Sequence, residues 1–228
     1  MTEPLVIAID GPAGSGKSTV AQMLAQRLGF AYVDSGATYR AAALKVLESG
    51  VALDDEEGIA RVVDSAEIGL VSRQPQPQVL LDGKDVTARI RTLEVTQAAS
   101  RVSRLPAVRK KLIALQKSLR KEPGVVMEGR DIGTVVFPDA PLKIFLEADL
   151  NERARRRDQQ NKEQGRPSTP LSTSTEIASR DQQDAQRQIS PLVAAKDATI
   201  FDTTNVSAEE VVEQILELAQ KKNLLARQ

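Results

Sequence analysis

Gly11-Pro12-Ala13-Gly14-Ser15-Gly16-Lys17-Ser18 satisfies the pattern G-x-x-x-x-G-K-[ST] at every position, between an apolar run at residues 4–9 and a helical pattern over residues 17–28. Few short segments restrict a fold so strongly. Glycines at 11, 14 and 16 let the backbone turn successive N–H groups inward, an anion nest at a helix N-terminus. Lys17 adds a point charge suited to β- and γ-phosphates. Ser18 offers a hydroxyl to Mg²⁺, with Thr19 next to it. The segment predicts a strand, a phosphate-holding loop and a helix in direct succession.

The rest of the chain repeats the alternation of short apolar strands with helices. Strands are expected at residues 31–33, 125–127, 143–146 and 199–201, and helices at 35–47 (closed by Gly50), from 54 onward, and over 93–122 with a break at Pro106. Residues 68–91 differ: β-like runs at 68–72 and 79–81, a proline-bearing loop at 74–78, and the hairpin signal Asp82-Gly83. They read as a small antiparallel insert. Residues 151–165 form a strongly charged helical pattern, 166–175 a Pro/Ser/Thr loop and 176–189 a second polar helix. Residues 207–222 close the chain as an amphipathic helix, with Ser207 as N-cap and Glu210 at the capping-box position. The expected class is α/β, a single domain over residues 1–228 with a parallel sheet of about five strands flanked by helices.

Composition narrows the chemistry. Cys and His are both absent, which removes disulfides, thiolate and imidazole metal sites, cysteine nucleophiles and Ser-His hydrolysis. Lys plus Arg equals Asp plus Glu at 31 each, and aromatic residues make up only 3%. Neither a basic coat nor base-stacking platforms point to nucleic acid as a partner. The apolar N-terminal run is far shorter than the ~20 residues of a spanning helix, and a secretory leader is not expected there.

Three further segments carry arginines and carboxylates where α/β sheets bind ligands. Asp34-Ser35-Gly36-Ala37-Thr38-Tyr39-Arg40 follows the second strand, and Glu128-Gly129-Arg130-Asp131-Ile132-Gly133 ends the third. Arg180, Asp184 and Arg187 fall at helical spacing on one face. D-S-G-x-x-Y-R, the run E-G-R-D-I-G-T-V-V-F-P-D-A over residues 128–140 and the R-D-x-x-D-x-x-R helix resemble, in order and over nearly the full length, the bacterial cytidylate kinases.

That resemblance implies a P-loop NTPase-type fold and in-line transfer of the ATP γ-phosphate to CMP or dCMP, with Mg²⁺. The core would comprise residues 1–62, 104–150 and 191–228, with an NMP-binding insert at about 63–103. A lid would span about 151–168, and an acceptor-binding helix 176–190. ATP would lie on Gly11, Pro12, Ala13, Gly14, Ser15, Gly16, Lys17, Ser18 and Thr19. Ser35, Arg40 and Arg130 would meet the acceptor phosphate, and Ser100, Arg109 and Asp131 the base. Arg180 and Asp184 would meet the ribose, and Arg187 the acceptor or the transferring phosphate. The chemistry suits these residue types: Arg forks grip phosphate bidentately, and cytosine needs a donor at N3 and O2 and an acceptor at N4.

In the arginine-rich helix, Arg153 and Arg157 lie on nearly the same face and are the expected pair to reach ATP phosphates on lid closure. Lys17, Arg130, Arg187, Arg153 and Arg157 make up the expected catalytic set. Ser18 is the expected Mg²⁺ ligand, with Asp34 or Asp131 acting through water. The expected protein is a cytoplasmic monomer with small-molecule nucleotides as partners, and neither nucleic acid nor membrane. A kinase for UMP or another small molecule is the nearest alternative. A nucleotide switch is the more distant one: Asn161-Lys162 is followed by Glu163-Gln164 rather than x-Asp, and Asp55-x-x-Gly58 sits in a helical stretch.

Overall fold

The structure, a computed structural model, describes residues 3–71, 77–163, 165, 168–187 and 189–225. The chain opens with β1 (Leu5–Asp10), α1 (Lys17–Leu28), β2 (Ala31–Asp34), α2 (Ser35–Ser49) and α3 (Glu56–Ser65). Next come β3 (Ile68–Val71), β4 (Gln78–Leu81), β5 (Lys84–Asp85), a 3₁₀ turn at Arg89–Arg91, α4 (Leu93–Val102) and α5 (Pro106–Ser118). The remainder is β6 (Gly124–Gly129), a π turn at Ile132–Val136, β7 (Leu142–Glu147), α6 (Leu150–Glu163), α7 (Pro170–Ala185), β8 (Thr199–Asp202) and α8 (Ala208–Lys221). The larger sheet has the order β2-β6-β1-β7-β8, and a separate sheet has the order β3-β4-β5. The expected α/β class, sheet size and antiparallel insert are all present.

Two compact units divide the chain, residues 1–30 with 121–228 and residues 31–120. In the first, β1 pairs in parallel with β6 and β7, and β7 with β8. Val6, Ile7, Ala8 and Ile9 are each at most 1% exposed, the continuous apolar run of a strand covered on both faces. Helix α1 packs on β6 and α8. It ends at Gly29 in the left-handed region, the usual helix stop. Ser207 and Glu210 form the expected reciprocal capping box of α8.

In the second unit, helices α2 to α5 share an apolar core with β4, built on Ala41, Ala42, Val46, Ile59, Ile90, Val102 and Leu112. The hairpin signal at Asp82-Gly83 is a turn with φ of 49° and 76°, both positive as a two-residue hairpin turn of the I′ type requires. The proline-bearing loop expected at 74–78 falls outside the described residues up to position 76. Helix α2 is capped by Asp34, whose side chain accepts from the Ala37 N–H at 3.1 Å.

One expectation is corrected. The stretch 166–175 was expected to be a loop and 176–190 a helix, but α7 runs from Pro170 to Ala185. Thr169 and Ser172 form a capping box with Pro170 in the first turn, so what reads by composition as a loop is a helix start. The helix then ends ahead of Pro191, with Gln186 as C-cap. The charged helix expected at 151–165 is α6, and the expected lid extends from it over positions 164, 166 and 167, which lie outside the described residues. Among the described residues, no helix is long and apolar enough to cross a membrane.

Candidate active site

The loop between β1 and α1 has the geometry of a phosphate cradle. A Cβ on Gly11 (φ 149°) would lie 2.0 Å from the Leu146 carbonyl oxygen, and one on Gly14 (φ 77°) would lie 2.9 Å from that of Arg153. Only glycine fits at either place. Helix α1 starts at Lys17 with no side-chain cap at Gly16 and no acidic residue in its first turn, so its N-terminal amides are available to an anion. Ser18 and Thr19 are exposed there. Lys17 Nζ donates to the Pro12 carbonyl at 2.6 Å, so the ammonium already points across the loop. Burial, and then the positive charges of Arg130 and Arg180, lower the Lys17 pKa to about 7, with Glu128 and Asp10 opposing.

A second cluster is built from β6 and the end of α7. Arg130 Nε donates to Asp184 Oδ2 at 2.9 Å, and Arg187 donates to Asp184 Oδ1. The Asp184 carboxylate is 1% exposed, with Arg130 at 19% and Arg187 at 10%. Burial alone would raise its pKa, but Arg130, Arg187 and Arg180 outweigh it and hold the group below the usual carboxylate range. Asp131 is buried and precedes the π turn. Asp10, at the end of β1, accepts from the Ile132 and Gly133 N–H groups, each at 2.8 Å.

Helix α6 lies against the cradle through Arg153 and Arg156. Arg153 donates to the Ala13 carbonyl at 3.1 Å and to Asp181 on α7. Arg156 donates to Thr203 Oγ1 at 3.0 Å, and that hydroxyl donates to the Ser15 carbonyl at 3.1 Å. Glu152 pairs with Arg155 and Arg156, which lower its carboxyl pKa to about 2. Arg157 donates to Gln160 of its own helix at 2.7 Å. The position that faces Gly16 is therefore Arg156, which helical spacing alone did not single out.

The second unit carries the remaining expected residues. Ser35 is 4% exposed, and its carbonyl accepts from Thr38 Oγ1 at 2.7 Å. Arg40 donates to Asp34 at 2.6 Å. Burial pushes the Asp34 pKa upward, but Arg40 and Arg91 more than reverse this, so the net shift is downward. Arg109 on α5 is 2% exposed, sits 5.7 Å over the Tyr39 ring and donates to the Ser103 carbonyl. Ser100 is half-buried on α4.

With this geometry in view, comparison with known proteins decides the family. Residues 7–221 match the family model described as Cytidylate kinase. The chain belongs to the cytidylate kinase family. It is 47% identical over 222 residues to the cytidylate kinase of Geobacillus sp. strain WCH70, covering 97% of this chain and 99% of that protein. To the cytidylate kinase of Azotobacter vinelandii it is 49% identical over 216 residues, covering 93% and 94%. The crystal structure of TT1252 from Thermus thermophilus aligns with a TM-score of 0.51 at 22% identity, over 99% of this chain and 100% of that one, a likeness of fold alone.

As a cytidylate kinase the chain is an enzyme of the nucleoside-monophosphate kinase class. Within the first unit, the fold gathers Lys17, Arg130, Arg180, Asp184 and Arg187 into one electrostatic neighbourhood and brings Arg153 to the cradle. Asp10 and Arg156 escaped the sequence reading. The only signal for Asp10 was a carboxylate closing an apolar strand ahead of the glycine loop. For Arg156, nothing distinguished it from its neighbours in an arginine run.

Proposed function

We propose that this cytidylate kinase takes its phosphoryl group from Mg-ATP held on residues 11–19 and passes it to CMP or dCMP. What carries the reading is a loop at residues 11–17 that only glycine fits at positions 11 and 14, together with Arg130 and Arg187 of the same unit, held on the buried Asp184 carboxylate as cations suited to an acceptor phosphate. Phosphoryl transfer asks mainly for positioning and charge neutralisation, which this set supplies without His or Cys. Arg130, with Ser35 and Arg40, is assigned to the acceptor phosphate, and Arg187 to the acceptor or the transferring group.

Ser100, Arg109 and Asp131 are assigned to cytosine. Their mixture of donors and acceptors matches O2, N3 and the N4 amine, and it mismatches uracil, whose N3 and C4 groups are reversed. Unmatched buried polar groups are costly, so a site of this kind discriminates strongly. Arg180 and Asp184 are assigned to the ribose. Arg153 and Arg157 are assigned to the donor phosphates on closure of α6. A monomeric cytoplasmic enzyme is part of the same proposal.

Among the described residues, no group of three or more acidic side chains that could hold a metal gathers. That suits Mg²⁺ held mainly by phosphates and water, with the exposed Ser18 hydroxyl as protein ligand. Asp34 is engaged by Arg40 and by the Ala37 N–H, and is the less suited carboxylate. When bound, Mg²⁺ neutralises phosphate charge. The chain's own residues orient the two nucleotides and exclude water.

A dinucleoside pentaphosphate joining cytidine to adenosine tests the reading by calorimetry. Binding far tighter than that of ATP or CMP alone, and weakened in Arg130→Ala, is expected. Binding no tighter than ATP would leave the cradle without an acceptor partner.

A further inference from the structure

Asp10 is 5% exposed and immediately precedes the cradle glycine Gly11. It pairs in register with Gly129 across the β1–β6 ladder. The chain leaves that ladder at Gly129, arches through Arg130 and Asp131, and returns so that the Ile132 and Gly133 N–H groups donate to Oδ1 and Oδ2 of the same Asp10, each at 2.8 Å. These amides open the π turn at Ile132–Val136, where the first N–H groups have no acceptor within the turn. The carboxylate supplies both acceptors from 122 and 123 residues away in sequence.

The arch is held from the far side as well. A Cβ on Gly133 would lie 3.2 Å from Lys143 Cδ and 3.4 Å from Asp10 Oδ2, so the turn is seated between the Lys143 stem and the Asp10 carboxylate. The Lys143 ammonium is itself fixed by the Pro138 carbonyl at 2.6 Å and by Asp197. Arg130 is thus tethered on one side by the strand ladder and on the other by a two-oxygen clamp, and both tethers converge on the strand that carries the cradle.

We propose that Asp10 is a positioning residue of the phosphotransfer reaction: its two oxygens fix the Arg130-Asp131 arch relative to the phosphate cradle, and so set where Arg130 meets the acceptor phosphate. The inference rests on the assignment of Arg130 made above. A buried carboxylate is a costly way to satisfy two amides in a stable strand end, and it earns its place by geometry. Displacing a reacting group by about 1 Å costs on the order of 100-fold in rate.

Asp10→Asn keeps the shape but turns an NH₂ group against one of the two amides. It is measured alone, with Arg130→Lys, and in the double variant, for kcat with CMP and for affinity toward a fluorescent ATP analogue. Asp10→Asn is expected to lower kcat about 10- to 100-fold, to leave the analogue's Kd within about 3-fold, and to cost less than about 3-fold further in the Arg130→Lys background. A multiplicative loss in the double variant overturns the inference, as does an equal loss of analogue affinity or a wild-type kcat. If Asp10→Asn does not fold, Gly133→Ala disturbs the same arch from the other side and enters the same cycle with the same expected outcomes. Unchanged turnover in Arg130→Lys and Arg130→Ala alike would instead remove Arg130 from the site, a failure of the functional reading that the cycle keeps separate.

Discussion

Arg130 and Asp184 stand 54 residues apart in sequence and meet through Nε and Oδ2 at 2.9 Å, on a carboxylate that is 1% exposed. Arg187 occupies the other oxygen of the same carboxylate. Asp184 thus fixes the orientation of the Arg130 guanidinium, and on the assignment proposed above an acceptor phosphate would meet a group whose ordering cost is already met.

Replacing Arg130 by Ala should lower turnover with CMP by about 100- to 1,000-fold, the range seen when one preorganised cationic or oxyanion contact is lost. Affinity for an ATP analogue should change little, since Lys17 and the loop amides remain. Parallel steady-state kinetics and fluorescence titration check this, and wild-type turnover would take Arg130 out of the reaction.

Asp184→Ala should be a stability variant as well as an activity variant. It leaves the Arg130 and Arg187 guanidinium groups without their shared anion, and breaking a buried ion pair from one side typically costs about 3–5 kcal/mol. Asp184→Asn, which keeps shape and an acceptor oxygen, should lose less. Urea unfolding of the three proteins decides, and a loss under about 1 kcal/mol for Asp184→Ala would show the network to be energetically idle.

Gly11→Ala should abolish nucleotide binding, because its Cβ would sit 2.0 Å from the Leu146 carbonyl oxygen at a φ of 149°. Relief requires β7 or the loop to move, and either movement turns the inward amides away. Gly29→Ala, also at positive φ but with nothing within 4 Å, is the control. It should cost roughly 1 kcal/mol of stability and leave nucleotide affinity unchanged. Equal loss of affinity in both would point to a general folding defect.

Asp10 gives the fold a pH signature. Burial, reinforced by the Asp131 charge, raises its pKa from 3.8 to about 6, against the Gly133 and Ile132 N–H groups and Lys17. The folded protein holds a proton there that the unfolded chain has released. The contribution is thus fully present below pH 3.8 and is lost as pH rises through about 6. Wild-type stability measured relative to Asp10→Asn should fall between about pH 4 and pH 7 by an amount on the order of 1–3 kcal/mol. Urea unfolding at several pH values measures the difference, and a flat difference would contradict the shift.

Much of this was legible in the sequence because the signals are local. The Gly11–Lys17 spacing, the Asp82-Gly83 turn and the Ser207–Glu210 box each specify their own backbone within a few residues. The start of α7 was also local but was hidden by composition: Thr169, Pro170 and Ser172 are residue types shared by loops and helix caps. Asp184 was singled out by its spacing with Arg180 and Arg187 and by the family resemblance, but its burial was not legible, since that depends on Arg130 arriving from the end of β6. Asp10 is the extreme case. Its partners lie 122 and 123 residues away, and no periodicity links them. Arg156 is set apart from its neighbours by its contact with Thr203, 47 residues further along the chain, and by its approach to Gly16.

The most direct test of the central claim is steady-state phosphotransfer from Mg-ATP to CMP, dCMP, UMP, AMP and GMP in parallel, read as acceptor-dependent ADP release. The account predicts high kcat/KM for CMP and dCMP, with UMP lower by at least about 100-fold because its N3 and C4 groups oppose a pocket matched to cytosine. UMP equal to CMP would contradict the assigned base recognition, and no acceptor-dependent release with any of the five would contradict the reaction itself.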